Sequence, residues 1–131
     1  MEIPMELFHF GGSANFELEG ETTALQIPQG SAEPLKFEIQ KNGKKINVEL
    51  YAQQVDGIEK NGFDLKKTLF VEKQYIGQSV SLPIKNEVLN EEYQVPLVVP
   101  ENEMTFDLGE LGMYNAETQK RGKMFLVVKT I

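Results

Sequence analysis

The sequence predicts an all-β protein: an antiparallel two-sheet β-sandwich of the jelly-roll type, with a closed or OB-like β-barrel as the alternative. Val, Ile, Phe, Tyr and Thr recur in short runs that Gly, Pro and Asn interrupt. No stretch keeps apolar residues at helical spacing over three turns. About ten such runs, separated by turn signals at intervals of roughly 8–14 residues, are typical of sandwiches and barrels.

The clearest predicted element is a hairpin over residues 35–50. Leu35–Gln40 and Lys45–Leu50 each alternate apolar and polar residues, and Asn42-Gly43 between them accepts the positive φ angles of a type I′ turn. A two-residue loop sets Lys36 opposite Glu49 on one face. On the other face it sets Leu35 opposite Leu50, Phe37 opposite Val48 and Ile39 opposite Ile46. A single register therefore satisfies both faces.

The remaining elements follow from shorter patterns. Further strands are predicted at Glu6–Phe10, Asn15–Glu19, Thr23–Ile27, Lys67–Gln74, Ser79–Ile84, Tyr93–Val99, Met104–Leu108 and Met124–Thr130. A two-residue loop at Asn61-Gly62 would set Glu59 against Asp64, so an irregular connection is predicted over 53–63. Asn86–Glu92 and Asn115–Arg121 each predict one helical turn behind an Asn cap. Prolines 83, 96 and 100 predict edge strands or strand ends.

Composition indicates one folded domain over residues 1–131. Apolar residues make up 40% and charged residues 25% of the chain, as in globular proteins. No stretch approaches the roughly 20 apolar residues that span a bilayer, so no membrane insertion is predicted. The N-terminus lacks the basic and apolar regions of a secretory signal, and cysteine is absent. We therefore expect a soluble protein made in the cytoplasm, or incorporated from there into a virion or larger particle.

The inventory of reactive side chains argues against an enzyme. The chain has one histidine (His9), one arginine (Arg121), no cysteine and no tryptophan. A metal site at His9 would need two or three more donors, which only carboxylates or amides could supply, and alternation in the predicted strand puts His9 on the face opposite Phe8 and Phe10. A carboxylate pair for glycoside hydrolysis would lack its tryptophan platform. Gly109 and Gly112 match no phosphate-binding loop. No catalytic residue, cofactor or metal is predicted.

Charge is segregated along the chain, although the net charge is −7. Residues 1–35 hold six carboxylates and no Lys or Arg, residues 36–85 hold nine lysines against six carboxylates, and residues 86–131 hold eight carboxylates against four basic residues. Oppositely charged faces that meet in an assembly would explain this pattern. The predicted interaction surface consists of Lys41, Lys44, Lys45, Lys60, Lys66, Lys67, Glu17, Glu19 and Glu21.

The same residues allow two other interpretations, a Ca²⁺ site and a site for single-stranded nucleic acid. Glu17, Glu19 and Glu21 would share one face of a strand, and with Glu101, Glu103 and Asp107 they would offer oxygen ligands to Ca²⁺, although no known loop pattern fits. The lysines interleave with Phe63, Phe70 and Tyr75, as in single-stranded nucleic-acid sites. The acidic net charge and the scarcity of arginine disfavour nucleic acid.

The functional expectation is a non-catalytic structural or interaction module that associates with itself or with other proteins, such as a virion or other particle subunit. The alternative is a β-domain that binds a small molecule or a carbohydrate through exposed tyrosines. A third hypothesis is a barrel that binds single-stranded nucleic acid.

Overall fold

The computed structural model describes residues 1–131 and is 58% strand and 6% helix, so the protein is all-β. The elements are β1 (Glu2–Ile3), α1 (Glu6–Phe10), β2 (Gly12–Leu18), β3 (Glu21–Ile27), β4 (Leu35–Lys41), β5 (Lys44–Ala52), β6 (Ile58–Asn61), β7 (Asp64–Val71), a 3₁₀ turn (Lys73–Tyr75), β8 (Ser79–Asn86), β9 (Glu91–Val98), β10 (Met104–Asp107), β11 (Tyr114–Asn115), β12 (Lys120–Arg121) and β13 (Met124–Thr130). Neither helical segment has the length or the apolar character that crossing a bilayer requires.

The strands form five small sheets, none of which closes on itself. The largest has the order β10-β13-β7-β6, and a three-stranded sheet has the order β1-β5-β4. Three further two-stranded ribbons are β2-β3, β8-β9 and β11-β12. The expected antiparallel pairing is wrong for two pairs, because β13 lies parallel to β7 and β1 lies parallel to β5. The 52 residues between β7 and β13 are long enough for the chain to return to the start of β7 and run beside it.

The predicted hairpin over residues 35–50 is confirmed in its register. Lys36 pairs with Glu49, and the three apolar pairs of the opposite face are those expected from alternation. Asn42 and Gly43 have φ angles of 54° and 75°, as a type I′ turn requires. The local pattern sufficed here because the turn and both faces specify one register.

The irregular connection predicted over 53–63 is wrong in its second half, where β6 and β7 form a hairpin. The turn lies one residue later than assumed, at Gly62-Phe63, and Gly62 has a φ of 62° at the first loop position. The shifted register places Glu59 opposite Lys66, whose Nζ lies 3.3 Å from its carboxylate. One residue of shift therefore replaces the repulsion that argued against a hairpin with an ion pair.

The strand predicted over Glu6–Phe10 is a short helix. Leu7 N–H donates to Pro4 O and Phe8 N–H donates to Met5 O, so the turn begins at the proline. Gly11, with a φ of 74°, ends it. In the helix Phe8 is buried and Phe10 is exposed, so the two phenylalanines do not share a face.

The two helical turns predicted behind asparagines are instead hairpin loops. Asn86 ends β8 and its Oδ1 accepts the N–H groups of Val88 and Leu89, which tightens the turn into β9. Asn115 ends β11 and its Oδ1 accepts the Glu117 N–H before the chain returns in β12. Both asparagine side chains do accept N–H groups as a helix cap would, but in each case the chain turns back into a strand and forms no helix. The strand predicted over Lys67–Gln74 also ends early. Here β7 ends at Val71, and Lys73 and Gln74 belong to the 3₁₀ turn.

A single apolar core joins these small sheets. Nineteen buried residues form one cluster, to which α1 contributes Phe8 and the loop before β11 contributes Met113. Leu126 and Val128 of β13 belong to this cluster and are fully buried. Since every sheet except β11-β12 supplies at least one buried side chain to this cluster, the sheets cannot separate without exposing it.

Candidate functional site

The lysines of the predicted interaction surface pair within their own chain. Five of the six have a carboxylate within ion-pair distance: Lys41 with Glu21 at 3.2 Å, Lys45 with Glu38 at 3.2 Å, Lys60 with Glu33 at 2.6 Å, Lys66 with Glu59 at 3.3 Å and Lys67 with Glu87 at 2.5 Å. Lys44 forms no ion pair. Paired cations attract a partner less strongly, because the neighbouring carboxylate opposes their field.

The three acidic residues of that surface lie at a hairpin tip, not along one strand as expected. Glu17 is in β2, Glu19 is in the turn with a φ of 54°, and Glu21 begins β3. The turn reverses the chain between them, which breaks the predicted alternation. No group of three His, Asp or Glu residues lies close enough to hold a metal ion.

The structure brings the only arginine and the only histidine close together beside β9. The Arg121 guanidinium donates two hydrogen bonds to Glu91, at 2.6 and 3.1 Å, and also donates to the carbonyls of Gly112 and Leu111 at 2.8 Å. His9 Nδ1 accepts the Tyr114 N–H at 2.8 Å. Arg121 thus joins β12, β9 and the loop before β11, while His9 connects α1 to β11.

These contacts shift the pKa values of the titratable residues in the cluster. Hydrogen bonds from Arg121 hold the pKa of Glu91 below its ordinary value. Burial, and then the nearby Arg121 charge, lowers the pKa of His9, and burial raises the pKa of Tyr93, whose hydroxyl hydrogen-bonds Glu91. Because the Arg121 guanidinium donates to two carbonyls and to both oxygens of the Glu91 carboxylate, it holds the loop before β11 against β9 and β12.

A different feature, an open apolar groove, lies where β7 and β8 meet. The groove has a volume of about 310 Å³. Its lining residues, seven of them apolar, are Leu69, Phe70, Val71, Glu72, Tyr75, Val80, Leu82 and Val99. Phe70 is 58% exposed and Tyr75 is 41% exposed. Two large aromatic side chains are therefore about half exposed to water beside an apolar groove.

The groove belongs to a wider apolar end of the molecule. Six of the nine exposed large hydrophobic residues are Phe70, Tyr75, Ile76, Val98, Met104 and Ile131. Ile131 N–H donates to Val71 O, Gly77 N–H donates to Val99 O, and Met104 pairs with Val128 in the large sheet. These hydrogen bonds bring the three chain segments to the same end, which we call the apolar end.

Sequence reasoning missed both the cluster and the apolar end. Phe70 and Tyr75 were considered as stacking faces for nucleic-acid bases, and Tyr75 also as an exposed tyrosine for a carbohydrate, but not as parts of one apolar surface. Val98, Met104 and Ile131 come from segments far apart in the chain. Whether these residues are exposed depends on which face of each strand packs on the core near the end of that strand. The alternation of apolar and polar residues does not specify this. No protein-family model and no curated protein matches the sequence.

Proposed function

We propose that the protein is a non-catalytic structural or interaction module that assembles with copies of itself through its apolar end, as a subunit of a virion or other particle does. The observation that carries the proposal is the groove flanked by half-exposed Phe70 and Tyr75. Aromatic side chains of this kind are enriched in protein interfaces, where each contributes a large contact area.

The two-sheet arrangement belongs to the same proposal. We infer that the β8-β9 ribbon covers one face of the large sheet, as in a sandwich of jelly-roll type. The support is that Ile84 of β8 and Leu97 of β9 are buried in the same core cluster as Leu126 and Val128 of β13. Pro83 and Pro96 lie in a ribbon whose strands are both edges, where a missing N–H costs no ladder bond.

The charges favour self-association over nucleic acid. Of the basic residues, only Lys44, Lys73, Lys85 and Lys120 have no carboxylate within ion-pair distance, and they lie in four different segments. The net charge is −7. A phosphate backbone needs a continuous track of cations that lack carboxylate partners, and these four residues do not form one.

Binding of a small apolar molecule in the groove is the second candidate. Its volume of about 310 Å³ is at the lower limit for ligand pockets. A carbohydrate is less suited, because a sugar needs polar groups around its aromatic platform and Glu72 is the only charged residue in the lining.

Sedimentation velocity over a wide concentration range tests the proposal. The wild-type protein should form a defined oligomer, and Phe70→Ser and Tyr75→Ser should weaken it. Phe10→Ser and Tyr51→Ser are matched controls, because Phe10 of α1 is 56% exposed, Tyr51 of β5 is 42% exposed, and neither belongs to the segments that form the apolar end. A wild-type protein that stays monomeric throughout, or equal weakening by all four substitutions, would overturn the proposal.

A further inference from the structure

Besides the outer side of β6, the large sheet has two open stretches of equal length. On one side β6 pairs only with Asp64–Lys67, so Thr68–Val71 of β7 has no strand beside it. On the other side β10, Met104–Asp107, is the outermost strand. Each edge is therefore four residues long, and each leaves backbone N–H and C=O groups available to a further strand.

The direction of these groups follows from the existing ladders. Leu65 N–H donates to Lys123 O and Ile131 N–H donates to Val71 O, so odd-numbered residues of β7 face β13. The N–H and C=O groups of Thr68 and Phe70 therefore point away from β13. Leu108 N–H donates to Met124 O, so even-numbered residues of β10 face β13, and Thr105 and Asp107 point outward.

From these observations we propose that β10 of a second copy adds to the open edge of β7, which continues the large sheet from one subunit to the next. In an antiparallel ladder Phe70 pairs with Thr105 of the second copy and Thr68 pairs with Asp107. This inference rests on the proposed self-association and assigns its contact.

The apolar side chains support the same pairing. Residues directly opposite in a ladder project from the same face of the sheet, so Val71 meets Met104 of the second copy and Leu69 meets Phe106. Leu69 and Val71 line the apolar groove, and Met104 is 50% exposed in the free subunit. If the ladder slipped by one residue, the backbone N–H and C=O groups of β7 and β10 would point away from each other. The register therefore also fixes which face of β10 lies beside the face of β7 that carries Leu69 and Val71.

Other open edges are less suited to such an addition. The β8-β9 ribbon carries Pro83 and Pro96, which cannot donate to a new ladder. The free edge of β4 carries exposed Lys36 and Glu38, charges of the kind that protect edges from pairing. Since β7 and β10 are different surfaces, their contact is head-to-tail and extends to a ring or a filament.

Disulfide trapping tests the pairing directly, because the chain has no cysteine. Val71→Cys and Met104→Cys are prepared as separate proteins, mixed and oxidised. Inside one chain β13 separates these residues by two strand spacings, about 10 Å, which is too far for a disulfide. The control replaces Val71→Cys with Thr22→Cys, an exposed strand position in β3.

We expect the Val71→Cys and Met104→Cys mixture to give on the order of tenfold more covalent heterodimer than the control, because docking raises the effective concentration of the pair. A chain carrying both cysteines should give a ladder of covalent oligomers. Thr105→Pro removes an outward N–H without touching the β10-β13 ladder, and Met104→Lys places a charge against the groove; each should reduce trapping to the control level.

The outcomes separate this inference from the proposed function. An oligomer without the specific cross-link would overturn the β7-β10 contact and leave self-association standing. A protein that is monomeric at every concentration and gives no cross-link would overturn both. Trapping that survives both Thr105→Pro and Met104→Lys in folded variants would also overturn the strand pairing.

Discussion

Lys60 and Glu33 form the most enclosed ion pair of the protein. Lys60 Nζ lies 2.6 Å from Glu33 Oε2, and the two side chains are only 10% and 25% exposed. The other carboxylate oxygen accepts the Ala52 N–H, and Nζ lies 5.8 Å from the centroid of the Phe8 ring. The pair thus connects the loop before β4 with β5, β6 and the core beneath α1.

Removing one partner of this pair should destabilise the fold. Glu33→Gln leaves Lys60 nearly buried without its counter-charge, and we expect a loss of about 2 kcal/mol in the free energy of unfolding. Urea denaturation measures it. Glu38→Gln is the matched control, because its pair with Lys45 is more than half exposed and should contribute less than about 0.5 kcal/mol. Equal losses in the two variants would contradict this account.

Two glycines should respond differently to substitution by alanine. Gly43 has a φ of 75°, and an added Cβ would meet nothing within 4 Å, so Gly43→Ala should cost only the backbone strain of about 1 kcal/mol. An added Cβ at Gly112 would lie 2.6 Å from the carbonyl oxygens of Phe63 and Lys123. Both obstacles are backbone, so Gly112→Ala should cost about 3 kcal/mol or more.

Thermal unfolding of the two variants checks this order. Asn47→Thr, at an exposed position within β5, is the control and should leave the midpoint nearly unchanged. A larger loss from Gly43→Ala than from Gly112→Ala would show that the turn, and not the packing against Phe63, limits stability.

These glycines also show how far sequence reasoning reaches. The role of Gly43 was predictable, because an Asn-Gly pair between two alternating runs specifies its own turn. The role of Gly112 was not predictable, since the carbonyls that exclude a side chain come from residues 63 and 123. The same limit explains why the contacts of Arg121 and the apolar end were missed. They depend on segments that only the assembled fold brings together.

His9 should make stability depend on pH. Its pKa in the folded protein lies below the ordinary value of 6.5, through burial and then the Arg121 charge. The unfolded chain therefore takes up a proton at a higher pH than the folded chain does. Stability is fully present above about pH 6.5 and falls as the pH drops from there toward the folded pKa. Protonation of Nδ1 would also remove the acceptor for the Tyr114 N–H.

Urea denaturation between pH 7.5 and 5.5 measures this contribution, with His9→Gln as the comparison because a Gln oxygen can still accept the N–H. The wild-type protein should lose stability over this interval and the variant should not. Glu91, whose pKa is lowered by Arg121, acts in a separate window, since its contribution is lost only as the pH falls below about 4.5. Identical slopes for wild type and His9→Gln between pH 7.5 and 5.5 would exclude His9 as the source.

Salt should have little effect on self-association. Attraction between the lysine-rich and acidic segments would weaken markedly as salt rises from 0.05 to 0.5 M, because the Debye length falls from about 14 Å to about 4 Å. Five of the six lysines named for that surface already have a carboxylate in their own chain, and the proposed contact buries Met104 and Phe106 beside the groove. Apolar burial is not screened, so we expect the dissociation constant to change less than about threefold over this range.

Lys44→Glu, at the one unpaired lysine of the set, should leave association unchanged, whereas Met104→Lys should weaken it strongly. Association that weakens steeply with salt and with Lys44→Glu would instead assign the contact to the charged surface.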